Sequence, residues 1–411
     1  MTSPATSYPR SKIKVLLLEN ISDAAVRQLG AGGYTEVRRM GGAMTDSELA
    51  EAIKGVHILG IRSKTQVTDS VIESADKLLA IGAFCIGTNQ IALTSATQKG
   101  IAVFNAPYSN TRSVAELIIG LCVILIRRIA DKNAAAHRGE WLKEAKGSYE
   151  LRGKTLGIVG YGNIGSQVSI MAEAMGMQVL YYDIANKLPH GNAKQVRDLK
   201  DLLKRSHIVT LHVPSDKSTK DLLDASLIKI MRRGAFLINH SRGDVVDLDA
   251  LNGALCSSKL GGAAIDVFPE EPETNTAPFD CVLRNLPNVI LTPHIGGSTE
   301  EAQASIGHDV TDKLVKYLEL GTTEGSLTVP PVNLPPQAGT HRILHIHKNV
   351  PGVLGSINSR LSKNGINIVG QYLNTNPDIG YVILDVDQKI SKEALALLKD
   401  VRGTVKARMV Y

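Results

Sequence analysis

The sequence predicts an α/β protein with two doubly wound parallel-sheet domains, the first of them discontinuous, and a smaller C-terminal β-α-β-β-α-β domain. Three observations predict this fold. A glycine-rich strand–turn–helix unit occupies residues 155–183. Apolar, strand-like runs alternate with helical segments on both sides of it. Beyond residue 339 the order of the elements changes. A chain of 411 residues has room for two to three such domains.

The first domain is predicted from short apolar runs separated by helical segments. Strands are expected at residues 12–19, 55–61, 78–81 and 101–104, and helices at 22–29, 47–53 and 70–75. This alternation is typical of a parallel sheet, which we assign to residues 12–110. Residues 1–11 lack the apolar segment of a signal peptide, and we expect them to form a disordered tail.

The second domain is assigned to residues 111–298. One long helix is expected at 113–138, where Ser113 and Glu116 have the spacing of a capping box. Later strands are expected at 208–213, 235–239, 263–268 and 289–292, with helices at 200–205, 225–232 and 249–257. A helix at 299–320 then returns the chain to the first domain, so residues 299–338 complete that domain. Four prolines mark a linker at 321–339.

The glycine-rich unit predicts a dinucleotide site. Gly160, Gly162 and Gly165 follow a buried strand at G-x-G-x-x-G spacing and open a helix. In a Rossmann-like domain these glycines allow a sharp turn, close approach of a pyrophosphate, and close packing of helix on strand. Asp183 ends the second strand, where a carboxylate holds the ribose hydroxyls and repels a 2′-phosphate. The expected cofactor is therefore NAD rather than NADP.

The C-terminal domain, residues 339–411, has the element order of a ferredoxin-like unit. His341, His345 and His347 alternate along its first strand and are expected to share one face. An H-x-H pair can bind zinc, but no cysteine or acidic cluster accompanies these histidines in the sequence. We therefore expect no metal.

The amino-acid composition indicates which kinds of binding partner and which location to expect. The net charge is +6, but basic residues occur only in short pairs and aromatic residues make up 4% of the chain. An enzyme for anionic metabolites is therefore expected, with no nucleic acid as partner. Four scattered cysteines predict reduced thiols and a cytoplasmic location. The apolar run 114–126 is too short to span a bilayer, which predicts a buried helix and no membrane association.

Three polar residues follow predicted strands of the second domain, where ligands of such sheets bind. They are Arg242, Glu271 and His294. A histidine has a suitable pKa to remove the proton of an alcohol that is being oxidised. A carboxylate beside it would orient the ring, and an arginine would hold a substrate carboxylate. Taken singly, each residue is equally consistent with a structural role.

The segments GYGNIG…YYD, NHSRGDVVD, AAIDVFPEEP and LTPHIGGS, in this order, resemble the D-2-hydroxyacid dehydrogenase family. The resemblance implies hydride exchange between NAD and a 2-hydroxy acid, with Arg242, Glu271 and His294 as the catalytic set and His294 as acid and base. The cofactor contacts that it implies are Gly160, Gly162, Asn163, Ile164, Gly165, Asp183, His240, Ser241, Arg242, Asp266, His294, Ile295, Gly296 and Gly297.

Further segments, IRSKT, AFCIGTNQI and FNAPYSNTRSVAELIIG, are similar to the members of the family that act on D-3-phosphoglycerate. The resemblance implies that Arg62 and Lys64 bind phosphate, that Asn110 lies near them, and that Lys143 reaches the substrate from a neighbouring subunit. Lys64 stands where an arginine is frequent, so it would hold phosphate as a point charge. His240 stands where a small residue is usual, and we interpret it as taking no part in proton transfer.

The C-terminal domain resembles the serine-binding ACT module, in which His347, Asn349 and Asn367 would be the ligands of L-serine. The resemblance implies feedback inhibition by serine and a homo-oligomer, with a tetramer favoured through paired ACT domains and the 113–138 region. Reduction of 2-oxoglutarate is an implied side activity. A dimerising ACT domain without a ligand remains the alternative for this part of the chain.

Two other functions stay open at this point. One is a hydroxypyruvate or glyoxylate reductase of the same family, which Arg62, Lys64 and the ACT-like domain disfavour. The other is an NAD-sensing binding protein similar to the C-terminal-binding corepressors, which can keep the Arg/Glu/His set. A requirement for substrate phosphate would exclude the first, and turnover would exclude the second.

Overall fold

The computed structural model describes residues 7–272, 276–387 and 391–410, which form two compact units. Unit 1 holds the chain up to Ser109 and again from Gln303, and unit 2 is Asn110–Ala302. Two parallel sheets and one antiparallel sheet confirm the predicted fold class. Residues 1–6 of the predicted tail lie outside the described residues, whereas Ser7 donates a backbone hydrogen bond to Val410. The predicted domain boundaries stay predictions.

The first sheet of unit 1 has five parallel strands in the order β2-β1-β3-β4-β5. Its strands are β1 (Val15–Leu17), β2 (Val37–Arg39), β3 (Ile58–Ile61), β4 (Ala80–Ala83) and β5 (Ala102–Asn105), and its helices are α1 (Asp23–Ala31), α2 (Asp46–Ala52), α3 (Asp69–Ser74) and α4 (Leu93–Gln98). The central strands are buried on both faces, which their unbroken apolar sequences favour. The short elements β2 and α4 were not predicted.

Unit 2 contains a seven-stranded parallel sheet in the order β12-β11-β10-β9-β6-β7-β8. Its strands are β6 (Thr155–Val159), β7 (Gln178–Tyr182), β8 (Lys194–Gln195), β9 (Ile208–Leu211), β10 (Phe236–Asn239), β11 (Gly262–Ile265) and β12 (Val289–Leu291). Its helices are α5 (Thr111–Ile126), α6 (Ile129–His137), α7 (Asn163–Ala174), α8 (Leu199–Arg205), α9 (Ala225–Ile230) and α10 (Leu248–Cys256). The strand order reverses between β6 and β9, and ligands of such sheets bind at this point.

The single long helix predicted at 113–138 is wrong. Arg128, in the left-handed region at φ 55°, separates α5 from α6. The predicted capping box is also wrong, because Ser113 lies inside α5, where its hydroxyl is hydrogen-bonded to Thr299, and Glu116 pairs with Arg112. The spacing of Ser113 and Glu116 indicated a helix start, but their side chains bind other residues and do not cap the helix.

The C-terminal part of unit 1 confirms the β-α-β-β-α-β order. It contains β13 (Thr340–Lys348), α12 (Val353–Lys363), β14 (Ile368–Thr375), β15 (Ile379–Asp387), α13 (Ser391–Lys399) and β16 (Thr404–Met409), with the strands ordered β14-β15-β13-β16. One sheet face packs against α12 and α13. The other face, with Leu344 and Tyr381, shares an apolar core with Tyr317 of α11 (Glu300–Leu320).

Three further observations concern the described residues only. None of their helices is long and apolar enough to cross a membrane. They include no group of three or more His, Cys, Asp or Glu side chains that could hold a metal ion. All four cysteines are described, and each is a free thiol.

Candidate active site

The glycine-rich turn joins β6 to α7 at the point where the strand order reverses. Gly160 has φ 92°, and a Cβ atom there would lie 2.5 Å from the carbonyl oxygen of His212. A Cβ on Gly165 would lie 2.2 Å from the carbonyl oxygen of Gly160. Both positions therefore require glycine, because each brings two backbone segments into direct contact.

The start of α7 is open to a ligand. Among the described residues, a Cβ on Gly162 would meet no atom within 4 Å, and both Gly162 and Asn163 are exposed. The first N–H groups of this 12-residue helix carry its partial positive charge. Backbone exposed at such a helix terminus fits the pyrophosphate of a dinucleotide.

Asp183 follows β7 directly and is fixed beside the glycine-rich turn. One of its carboxylate oxygens accepts a hydrogen bond from the backbone N–H of Tyr161 at 2.8 Å, and the other accepts from Ala185 at 2.8 Å. The carboxylate is therefore held at the end of β7, where the fold places the ribose of a bound dinucleotide.

His294 and Glu271 form a hydrogen-bonded pair. The Nδ1 atom of His294 lies 2.8 Å from Oε2 of Glu271, and Oε1 of Glu271 accepts from the backbone N–H of Phe268 at 3.2 Å. The hydrogen bond raises the pKa of His294, although partial burial opposes this. Burial also opposes ionisation of Glu271, but the hydrogen bond and charge of His294 hold the pKa of that carboxyl below its usual value. Since Nδ1 is engaged, Nε2 is the ring nitrogen available to a substrate.

Asp266, which is 1% exposed, holds the loop that carries His294. Its Oδ1 atom accepts from the Thr292 hydroxyl at 2.6 Å and from the Ile295 N–H at 2.9 Å. Its Oδ2 atom accepts from the Gly296 N–H at 2.9 Å. Burial opposes ionisation, yet the contact with the His240 imidazole and these hydrogen bonds lower the pKa of Asp266 to about 2. His294 itself has φ 53°, so the loop is held in a conformation that few residues adopt.

Arg242 follows β10 and is positioned by Asn239. The side-chain oxygen of Asn239 accepts from the N–H and the hydroxyl of Ser241, at 3.1 and 2.8 Å, and its amide donates to the carbonyl of Arg242 at 3.0 Å. A Cβ on Gly243 would lie 2.0 Å from the carbonyl carbon of Phe268. The backbone beside Arg242 therefore packs directly on the segment that leads to Glu271.

The roles of Asn239, Gly243 and Thr292 were not predicted. Asn239 ends an apolar strand at an edge where ligands bind, which was the available signal. The contacts of Gly243 and Thr292 join distant parts of the chain, and a sequence pattern does not display them.

His240 lies beneath the same loop. Its side chain is fully buried, and its Nδ1 lies 3.3 Å from Oδ2 of Asp266, although neither ring nitrogen has a hydrogen bond to any residue that the structure describes. Burial and the neighbouring His240 lower the pKa of His212 to about 3. The interpretation of His240 as taking no part in proton transfer stays a prediction.

The predicted substrate residues lie in different places. Asn110 touches the His294 loop, because a Cβ on Gly297 would lie 2.3 Å from its Nδ2 atom. Lys143 is exposed next to Trp141, which is 86% exposed, in the stretch between α6 and β6. Arg62 and Lys64 belong to unit 1, on the turn after β3, where Arg62 is half-buried and Lys64 exposed.

The three predicted serine ligands do not meet within one chain. The buried His347 and the exposed Asn349 lie at the end of β13 that pairs with Gly380, and a Cβ on Gly380 would lie 2.4 Å from the His347 ring. Asn367 precedes β14, whose first residue, Ile368, pairs with the other end of β15. The length of these strands separates Asn367 from His347 by about 20 Å.

The histidines of β13 share a face, as predicted. The rings of His345 and His347 are 5.3 Å apart, and His345 is hydrogen-bonded through Nε2 to Thr404 at 2.8 Å. Burial and the neighbouring His347 lower the pKa of His345 to about 4. His341, nearer the start of the strand, is hydrogen-bonded to Ser391 at 2.6 Å.

Two family models match the chain. Residues 119–296 match the D-isomer specific 2-hydroxyacid dehydrogenase NAD-binding domain. Residues 343–406 match the AHAS small subunit-like ACT domain. The first match covers the seven-stranded sheet, and the second covers most of the C-terminal antiparallel sheet.

Similar proteins extend the match to nearly the whole chain. The D-3-phosphoglycerate dehydrogenase of Escherichia coli (strain K12) is 51% identical over 98% of this chain and 99% of its own length. The enzyme of that name from Haemophilus influenzae is 52% identical over 98% and 99%. Among solved structures, the D-lactate dehydrogenase from Aquifex aeolicus, complexed with NAD and lactic acid, superposes with a TM-score of 0.67 at 26% identity, over 77% of this chain and 100% of that chain.

Proposed function

Because the chain belongs to the D-3-phosphoglycerate dehydrogenase family of NAD-dependent oxidoreductases, we propose that it oxidises D-3-phosphoglycerate to 3-phosphohydroxypyruvate, the first step of L-serine synthesis. The observation that carries the chemistry is the hydrogen bond of 2.8 Å between His294 and Glu271. The names of relatives that match over their whole length support the substrate.

His294 is the proposed acid and base. In oxidation, the free Nε2 accepts the proton of the 2-hydroxyl group, and the developing positive charge of the ring is stabilised by Glu271. When bound, NAD supplies the acceptor for the hydride that leaves carbon 2. Arg242 binds the substrate carboxylate through its guanidinium group and polarises the carbonyl that forms. The same pair favours the protonated ring, which the reverse reduction requires.

The cofactor-binding set is proposed on the fit of unit 2 to a dinucleotide. The exposed start of α7 suits the pyrophosphate, the fixed carboxylate of Asp183 suits the ribose hydroxyls, and the loop held by Asp266 carries His294. The residues proposed to hold NAD are Gly160, Gly162, Asn163, Ile164, Gly165, Asp183, His240, Ser241, Arg242, Asp266, His294, Ile295, Gly296 and Gly297.

Substrate phosphate is assigned to basic side chains. Arg62 and Lys64 are both accessible on one turn, and Lys143, next to an exposed tryptophan, is proposed to reach the substrate of a neighbouring subunit. Asn110 is proposed as a further, uncharged contact of the substrate. A substrate with close to three negative charges gains encounter rate from several cations. An unphosphorylated dicarboxylate such as 2-oxoglutarate would use the same cations, which makes its reduction a proposed side activity.

We assign feedback inhibition by L-serine to the ACT domain, with His347, Asn349 and Asn367 as ligands. Asn367 lies at the opposite end of the sheet from the other two, so one site containing all three needs two paired copies. This favours a homo-oligomer, with a tetramer proposed through ACT pairing and the 113–138 region. The coupling between effector and active sites is expected at about 1–3 kcal/mol. The free thiols agree with a reducing compartment, and the cytoplasm is the proposed location.

The test is NADH formation from D-3-phosphoglycerate by the purified full chain, with and without L-serine, and with D-serine as the matched control. Turnover that L-serine alone suppresses supports both proposals. Turnover that neither serine isomer changes keeps the dehydrogenase and refutes the regulation. Absence of turnover, or equal turnover with D-glycerate, refutes the proposed substrate.

A further inference from the structure

The turn that carries Arg62 and Lys64 directs three backbone N–H groups at one buried carboxylate. Glu19, which is 8% exposed, accepts from the N–H groups of Arg62 at 3.1 Å and of Thr65 at 2.9 Å through Oε1. Its Oε2 atom accepts from the N–H of Lys64 at 3.0 Å. The turn is therefore a nest for an anion, and a side chain of this chain already fills it.

Gln90 holds the other side of the turn. It is 4% exposed, and its amide nitrogen donates to the carbonyl of Arg62 at 2.7 Å. Its own backbone carbonyl accepts from the N–H of Val67 at 2.8 Å. Two buried polar side chains, from segments on either side of the turn in sequence, thus fix the backbone between β3 and α3.

The backbone of Glu19 is itself held in a conformation of low probability. Glu19 and Asn20 follow β1 with φ angles of 58° and 51°, in the left-handed region that favours glycine. Hydrogen bonds from their N–H groups to the carbonyls of Gly42 and Met40, at 3.1 and 3.3 Å, keep them there. Such strain persists only where the surroundings determine the conformation fully, and it is frequent at functional sites.

We propose that Glu19 is a positioning residue for substrate phosphate: it fixes the turn so that the side chains of Arg62 and Lys64, and not its backbone amides, contact the phosphate. This inference rests on the proposed function, which assigns phosphate to those two side chains. A carboxylate beside an anion site is unfavourable by charge alone. Its presence is explained by the three hydrogen bonds that order the turn.

The charge of Glu19 and its proposed positioning role predict opposite changes in the KM for D-3-phosphoglycerate when Glu19 is replaced by glutamine. Removing a negative charge next to the phosphate would lower the KM for D-3-phosphoglycerate. Loss of the contacts that position the turn would raise this KM, because the amide NH₂ group of glutamine would face the N–H of Lys64 and the turn would shift. We expect the KM for D-3-phosphoglycerate to rise roughly tenfold, with the kcat and the KM for NAD unchanged.

The matched control is Glu319→Gln, which neutralises another buried carboxylate of unit 1, paired there with Arg10 at 2.8 Å. It tests whether any loss of buried charge in this unit alters the KM, and we expect no change. D-Glycerate, which lacks the phosphate, is the second control, and its KM should be the same for wild type and Glu19→Gln. An unchanged or lower KM for D-3-phosphoglycerate in Glu19→Gln overturns the inference.

Two measurements keep the test decisive. Should Glu19→Gln not fold, Gln90→Met removes the donor to the Arg62 carbonyl with little change of volume, and it should raise the same KM. Wild type and Arg62→Ala are assayed first with both substrates. If wild type shows no preference for the phosphorylated acid, or Arg62→Ala keeps that preference, the proposed phosphate site fails. If both behave as proposed and neither positioning variant alters the KM, only the role of Glu19 fails.

Discussion

Replacing Asp266 by asparagine tests how the His294 loop is held. The pKa of this buried carboxyl is lowered from 3.8 to about 2, and each unit of such a shift corresponds to about 1.4 kcal/mol. The native carboxylate thus contributes about 2 kcal/mol to the free energy of unfolding at pH 7. Because the native pKa is the lower one, this contribution is present above the unfolded pKa and is lost as pH falls from about 4 towards 2.

The substitution changes the atom that accepts from the Gly296 N–H and that lies 3.3 Å from Nδ1 of His240. Asparagine keeps an oxygen where Oδ1 of Asp266 accepts two hydrogen bonds, but it places an NH₂ group where Oδ2 accepts from Gly296. Two donors then face each other next to His294. A buried N–H of Gly296 without an acceptor costs about 1–3 kcal/mol, so we expect kcat/KM to fall roughly tenfold.

The assay combines urea unfolding with steady-state kinetics at pH 7. Asp280→Asn is the matched control, since it neutralises a carboxylate of the same unit that is 96% exposed, and neither quantity should change. We expect the loss of stability in Asp266→Asn to be constant down to about pH 5 and to shrink below pH 4. Wild-type stability and wild-type kcat/KM in Asp266→Asn would refute this account of the loop.

Four further predictions follow from the site. His294→Ala should lower kcat at least about a hundredfold while NAD still binds; near-normal turnover would remove His294 from its role. Glu271→Gln removes the negative charge beside His294, so the pKa of His294, which Glu271 raises through its hydrogen bond and its charge, should fall and the rise of the oxidation rate with pH should move to lower pH; an unmoved profile would contradict the pairing. Asp183→Ala should weaken NAD binding and relax the discrimination against NADP, and equal cofactor ratios in variant and wild type would exclude the ribose contact. Asn349→Ala and Asn367→Ala should each weaken inhibition by L-serine with uninhibited turnover intact, and inhibition that survives both would disprove the serine site.

The sequence predicted those features that depend on adjacent residues. The glycines of the turn after β6 were predicted because strand, turn and helix are contiguous, and the structure shows why Gly160 and Gly165 admit no side chain. Arg242 and His294 were predicted as candidates because parallel strands bring their carboxyl ends to one edge.

Features that depend on distant contacts were missed. The bonds from Glu19 to the turn of Arg62 span more than 40 residues, and those from Asp266 to the His294 loop span nearly 30. The break at Arg128 was also missed, because no glycine or proline marks it in the sequence. The separation of Asn367 from the other predicted serine ligands follows from the antiparallel register of the strands. The predicted order of strands and helices does not specify that register.

The central claim is that this chain removes a hydride from carbon 2 of D-3-phosphoglycerate and passes it to NAD. The most direct measurement uses substrate carrying deuterium at carbon 2, with the NADH formed analysed by mass spectrometry. The account predicts one deuterium in each NADH, and formation of this product at least about a hundredfold more slowly in His294→Ala. NADH without deuterium, or no NADH from the wild-type chain, would contradict it.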